Sequence, residues 1–251
     1  MIRYSVVIPT LGRPCLAACL RSLAFAEGPA PQRIVLVDDR SAGGPPLRVP
    51  ADLPGQVEIV VSAGMGPAAA RNLGWRCTDT PWVAFLDDDV RVGAGWRTRL
   101  AADLTGRSPR VGGVQGRITV PLPHGRRPTD WERGTAGLAR ARWITADMAY
   151  RREALVESGG FDERFPRAFR EDADLALRIL ACGWRLEVGR RGTTHPVRDA
   201  SPWLSVRAQA GNADDALMRA VHGPDWYERA GETPGRSNRH LAVTAAALAA
   251  T

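Results

Sequence analysis

The chain has 251 residues, 44% of them hydrophobic and 24% charged, which excludes wholesale disorder and suits one large domain with a full-sized core. It holds no lysine, so all 34 basic residues are arginine; this excludes Schiff-base catalysis, a phosphate loop ending in Gly-Lys-Ser/Thr and a lysine general base. The net charge of +7 favours anionic ligands or an anionic membrane surface, but the arginines are scattered rather than striped, which argues against nucleic acid. The four cysteines, Cys15, Cys19, Cys77 and Cys182, match no zinc or redox spacing. Residues 2–8 read as a strand rather than a secretory leader. The longest uncharged apolar stretch, residues 241–250, is about half of what a membrane-spanning helix needs. The expected location is cytoplasmic, with peripheral membrane contact through arginine allowed by the charge.

In chain order, residues 5–8 form a β-branched strand that exits through Pro9-Thr10-Leu11-Gly12-Arg13-Pro14, and residues 16–25 follow as a helix. Residues 34–37 are a second strand running into Asp38-Asp39. Residues 57–61 are a third, followed by a Gly loop and an Ala-rich helix over 68–75. Residues 83–86 are a fourth, running into Asp87-Asp88-Asp89. Continuous apolar strands alternating with helices predict an α/β fold with a mostly parallel central sheet flanked by helices. Ligands of such sheets bind beyond the carboxyl ends of the strands, where both acidic clusters fall. Further on, residues 111–120 read as one or two strands, 121–137 as a Pro/Gly/Arg-rich loop, 143–150 as a return to the sheet and 151–158 as a helix. Residues 171–181 read as an amphipathic helix. Asp174 and Arg178, four apart on it, read as a surface pair. Residues from 201 onward read as a polar helical extension.

Four segments carry chemistry. Three consecutive carboxylates at a strand end, Asp87, Asp88 and Asp89, repel one another unless a cation or hydrogen-bond donors offset them, and oxygen ligands of this kind suit Mg²⁺ or Mn²⁺. Asp38 and Asp39 end the neighbouring strand, where a carboxylate can accept hydrogen bonds from a base or ribose. Gly64-Met65-Gly66-Pro67-Ala68-Ala69 formally matches a dinucleotide fingerprint. Against a dehydrogenase stand Pro67, which removes an amide from the phosphate cradle, the triple acid, and the two strand–helix units that precede the loop. Glu171 and Asp172 open the helix of residues 171–181, where the macrodipole favours carboxylates and where one aimed into a cleft suits general-base work.

Taken in order, SVVIPTLGRP, IVLVDDRS, GPAAARNLGW, VAFLDDDV and GGFDERF with REDADLALR resemble the family 2 glycosyltransferases of the GT-A fold, over roughly residues 3 to 190. The resemblance implies an inverting, metal-dependent enzyme of hexosyltransferase type that moves a sugar from a nucleoside-diphosphate sugar to an acceptor hydroxyl. It implies that Pro9 and Thr10 line the nucleotide pocket, that the acid at Asp39 holds the base with Asp38 also in the nucleotide site, and that Arg71 lies against the nucleotide. Asp87 and Asp88 then belong to the nucleotide site, and Asp89 and Asp87 to a Mn²⁺ or Mg²⁺ site that His195 completes. Asp172 becomes the catalytic base, with Glu171 beside it. Residues 1–200 form the catalytic domain, with a nucleotide-sugar half over 1–120 and an acceptor half over 121–200, and residues 201–251 a C-terminal helical extension. Arg40 departs from the family's Asp-Asp-Gly-Ser and is free to touch an anionic ligand instead. The donor's base and sugar and the acceptor stay open. A nucleotidyltransferase and a non-catalytic nucleotide-sugar or nucleic-acid binding module are the alternative classes.

Overall fold

The computed structural model describes residues 2–198 and 211–231 of the chain. Strands β1 (Tyr4–Thr10), β2 (Arg33–Asp38), β3 (Gln56–Val61) and β4 (Trp82–Leu86) are joined through helices α1 (Cys15–Phe25) and α2 (Pro67–Arg76). They are followed by β5 (Arg91–Val92), α3 (Trp96–Leu104), β6 (Val111–Thr119), α4 (Asp130–Ala136), β7 (Asp147–Arg151), α5 (Arg152–Glu157), α6 (Glu171–Ala181) and β8 (Arg185–Thr194). Two more helices, Asn212–His222 and Trp226–Ala230, close the described part. The strands build one sheet in the order β3-β2-β1-β4-β7-β6-β8-β5. β3, β2, β1 and β4 run parallel, β7 runs antiparallel between β4 and β6, and β5 runs antiparallel against β8.

The continuous apolar runs follow from burial on both faces. Along β1, Val6 and Ile8 pack with Leu16, Leu20 and Leu23 of α1, whereas Val7 between them packs with Val35, Val37 and Ala70 of α2. α2 lies so close to the sheet that a Cβ on Gly74 would stand 2.4 Å from a methyl of Val7. The helix starts at Pro67, where the missing amide is one that a helix's first turn leaves unbonded anyway.

α3 and β8 carry no clean period: β8 reads Arg-Leu-Glu-Val-Gly-Arg-Arg-Gly-Thr-Thr, and its place in the sheet comes from pairing with β6 and β5. The 121–137 loop contains α4, which opens with a reciprocal capping box between Thr129 and Glu132. The Thr-x-x-Glu spacing was its sequence signal. Thr129→Ala removes that cap, worth about 1 kcal/mol. Amide exchange in residues 130–136 should quicken by about fivefold while exchange in β1 and β4 stays unchanged.

The pair Asp174–Arg178 is a correction. Asp174 is fully buried, because the helix Asn212–His222 folds back over α6 and sets His222 Nε2 2.7 Å from its carboxylate. Arg178 adds two hydrogen bonds, at 3.0 and 2.5 Å. The same helix holds Arg167 through Asp214 and Arg170 through Asp215, at 3.0 and 2.7 Å. Met218 and Trp226 pack with Phe165 and Leu177 beneath them. Of the extension over 201–251, residues 201–210 and 232–251 lie outside the described residues, as does the apolar stretch over 241–250. Among the described residues no helix is long and apolar enough to cross a membrane.

Candidate active site

The carboxyl ends of β1, β2 and β4 meet at one edge of the sheet. The register sets Thr10 beside Asp38 across β1 and β2, and Val7 beside Phe85 across β1 and β4, so Asp38, Asp39 and Asp87 emerge around the end of β1. Asp39 is buried and accepts hydrogen bonds from the Ser62 hydroxyl at 2.7 Å and from the Gly66 amide at 3.1 Å. The Gly loop therefore turns its amide to a carboxylate of the chain itself, which removes the pyrophosphate cradle that a dinucleotide fingerprint requires. Gly66 takes φ +94°, a conformation that side-chain-bearing residues rarely adopt.

Arg40 does not reach outward. Its guanidinium grips Asp38 through Nε at 2.8 Å and a terminal nitrogen at 2.5 Å, and this holds the Asp38 carboxyl below its ordinary pKa.

Each member of the acidic triplet has its own partners. Asp87 takes a hydrogen bond from Arg71 at 2.9 Å. Asp88 accepts from the Thr10 hydroxyl at 2.6 Å and faces Arg13 at 3.7 Å. Asp89 faces Arg198 Nε at 3.0 Å and His195 Nε2 at 3.4 Å. Burial raises the pKa of Asp88 and Asp89; Thr10 and Arg13 oppose it at Asp88, and His195 and Arg198 oppose it at Asp89. Pro9 lies on β1 one residue before Thr10.

Asp87, Asp89 and His195 each bring a ligand atom within 4.8 Å of the others. The short β5 explains this meeting. It follows Asp89 by two residues and pairs Arg91 with Thr194, which lays His195 alongside the acidic turn. His195 Nδ1 lies 3.2 Å from the Pro196 carbonyl oxygen, which can only accept, so Nδ1 is the donor of that hydrogen bond and Nε2 is the ring nitrogen that faces Asp89. Two carboxylates and an imidazole oriented through its other nitrogen are a donor set that suits Mn²⁺ or Mg²⁺.

Arg71 joins this edge to α6. The guanidinium is buried and bridges Asp87 to Glu171 Oε1 at 2.8 Å. Among the described residues three buried polar side-chain atoms lack a hydrogen-bond partner, and two of them, Arg71 Nε and Glu171 Oε2, belong to this bridge. The third is the Tyr150 hydroxyl on β7. Burial, then the charge of Asp172, push the Glu171 carboxyl above its ordinary pKa against the pull of Arg71. Asp172 follows in the first turn of α6, with Oδ1 accepting from the Ala173 amide at 2.8 Å. The residue before the helix, Arg170, takes a left-handed φ of +74° and stacks over Trp226 at 4.8 Å, so the C-terminal helices fix the entry to α6. Glu171 and Arg71 are thus tied to Asp87 by one polar chain, and Asp172 follows Glu171 in the first turn of α6.

Sequence reasoning missed Arg13 and Arg198 as partners of the triplet. It also missed a buried group behind it, in which Arg191 binds Asp147 at 2.6 Å and Asp103 at 3.2 Å. An isolated arginine in an arginine-rich chain carries no signal that would separate these from the rest.

A parallel half-sheet with acidic clusters at its strand ends and a carboxylate-bearing helix beside them is the place where α/β folds bind their ligands. The model of glycosyl transferase family 2 matches residues 5–156. The chain belongs to that family and so to the glycosyltransferases of GT-A fold. It is 32% identical over 212 residues to the pre-mycofactocin glycosyltransferase of Mycobacterium tuberculosis, a match that covers 77% of this chain and 43% of that protein. The chain therefore spans less than half the length of that relative. It is 27% identical over 240 residues to the succinoglycan biosynthesis protein ExoM of Rhizobium meliloti, covering 88% of this chain and 77% of that one. In fold it is similar to a mannosyltransferase from Pyrobaculum calidifontis, solved with GDP-Man and Mn²⁺, with a TM-score of 0.56 and 19% identity over 99% of this chain and 81% of the other.

Proposed function

We propose that this chain transfers a glycosyl unit, with inversion, from a nucleoside-diphosphate sugar to an acceptor hydroxyl, and that it does so with Mn²⁺ or Mg²⁺. The observation that carries this reading is the meeting of Asp87, Asp89 and His195 at the sheet edge, tied through Arg71 to Glu171, the residue before Asp172. Asp87, Asp89 and His195 hold the cation. When bound, it offsets the negative charge that develops on the departing diphosphate. Pro9, Thr10, Asp38, Asp39, Arg71 and Asp88 shape the nucleotide side: Asp39 fixes the Gly loop, Thr10 fixes Asp88, and Arg71 holds Asp87 in place. Asp172 accepts the proton of the acceptor hydroxyl as that oxygen bonds to the anomeric carbon and the bond from carbon to the diphosphate oxygen breaks. One displacement from the opposite face inverts the anomeric centre. Residues 1–120 serve the donor, residues 121–200 the acceptor, and within the extension over 201–251 the helices Asn212–His222 and Trp226–Ala230 brace α6.

The test is a thermal-shift panel of nucleoside diphosphates and nucleotide sugars, each with Mn²⁺ and with chelator. At a hundredfold excess over Kd the matching nucleotide stabilises by about 2.7 kcal/mol, a rise of roughly 5–10 °C for a domain of this size. The rise should vanish with chelator and in Asp89→Ala. No shift with any nucleotide in the presence of Mn²⁺ would remove the donor site from these residues.

A further inference from the structure

Each carboxylate of the triplet faces an arginine from a different element, and the three arginines are held very differently. Arg71 is 4% exposed and locked between two carboxylates. Arg13 stands off at 3.7 Å. Arg198 lies just past the end of β8; its side chain is 40% exposed and, among the described residues, Asp89 is its one ion-pair partner. Its backbone is pinned, since Trp131 Nε1 on α4 donates to the Arg198 carbonyl at 3.0 Å. The result is a fixed root with a partly exposed charged head, seated on a carboxylate that also belongs to the Asp87, Asp89 and His195 cluster.

We propose that Arg198 is an exchangeable counter-charge of the donor site: it competes with the divalent cation for Asp89 and, once displaced, turns its guanidinium to the diphosphate. This rests on the cation-site reading given above. Two positive groups cannot both sit close to one carboxylate without repulsion, and an ion pair whose arginine is 40% exposed is the weaker of the two holds. Displaced from Asp89, the guanidinium has a long side chain with which to reach the nearest new anion. A diphosphate held at that site matches its planar fork of donors, which point charge alone would not. Arg198 thus lowers affinity for the free cation and raises affinity for diphosphate in its presence, so cation and nucleotide bind together rather than singly.

The test compares wild type with Arg198→Ala and Arg198→Lys by calorimetric titration, first with Mn²⁺ alone and then with inorganic pyrophosphate, UDP and GDP at saturating Mn²⁺. Arg198→Ala should bind Mn²⁺ alone roughly fivefold more tightly, the upper end of what an exposed ion pair withholds. Pyrophosphate should bind it about tenfold more weakly, the loss of one charge-assisted hydrogen bond. Arg198→Lys should fall between on both. Equal Mn²⁺ affinities in wild type and Arg198→Ala, or a loss of both affinities together, overturn the proposal while leaving the cation site standing. Failure of wild type to bind Mn²⁺ overturns the cation site itself. Should Arg198→Ala not fold, Arg198→Gln reads the same difference, and equal affinities there also overturn the exchange.

Discussion

Replacing Asp172 with asparagine leaves donor binding intact and slows glycosyl transfer by about 10²–10⁴-fold, the range lost with a general base. The side chain keeps its size and its acceptor oxygen for the Ala173 amide, so α6 still starts as it does now. What it loses is the ability to take a proton. Nucleotide affinity measured by calorimetry should therefore match wild type while single-turnover transfer falls. Unchanged transfer would take Asp172 out of the role and point to Glu171, whose carboxyl is pushed upward by burial and is held by Arg71. Glu171 is the poorer base because that bridge fixes it on Arg71 and away from solvent.

The second large effect falls on stability. Arg191 is fully buried and serves two carboxylates, Asp147 and Asp103, which are buried as well. The group is closed by the Trp96 indole and the Thr193 hydroxyl on Asp147, at 2.9 and 2.5 Å, and by the Arg190 amide on Asp103 at 2.8 Å. Arg191→Met keeps the volume but leaves two carboxylates in the interior without a counter-charge. The expected cost is about 3–5 kcal/mol, a fall in Tm of roughly 6–20 °C for a domain of this size. Differential scanning calorimetry with Arg191→Met checks it. A fall of less than a degree would mean that the remaining donors carry the two charges by themselves. The consequence for the site is geometric: Asp147 pairs with Leu86 and Thr193 lies two residues before His195, so this buried group anchors both strands whose ends carry the cluster.

The dehydrogenase reading of the Gly loop shows how near a motif can come without its chemistry. Gly64, Gly66 and Ala69 stand at the fingerprint spacing. Folding assigns the Gly66 amide to Asp39 and puts Pro67 at the helix start, so the donors that would hold a pyrophosphate there are spent or missing. Membership of glycosyl transferase family 2 likewise favours the proposed glycosyl transfer over the other classes left open.

The parallel half of the sheet is legible from the residues alone, because apolar runs such as those in β1, β2 and β4 are buried on both faces and leave no polar alternation to misread. So is the placement of Asp38, Asp39 and the Asp87–Asp89 triplet at strand ends, since an acidic run directly after such a strand has nowhere else to go. Tertiary structure alone decided which side chains meet. His195 joins Asp89 only because β5, two residues long, pairs with the end of β8. Asp174 is buried only because a helix some forty residues later folds over it. Arg191, like Arg198, looks the same in the chain as every other arginine. Periodicity records which face of an element is buried, a local property. Which distant charge fills that face depends on register and on long-range packing, which leave no trace in the spacing of residues along the chain.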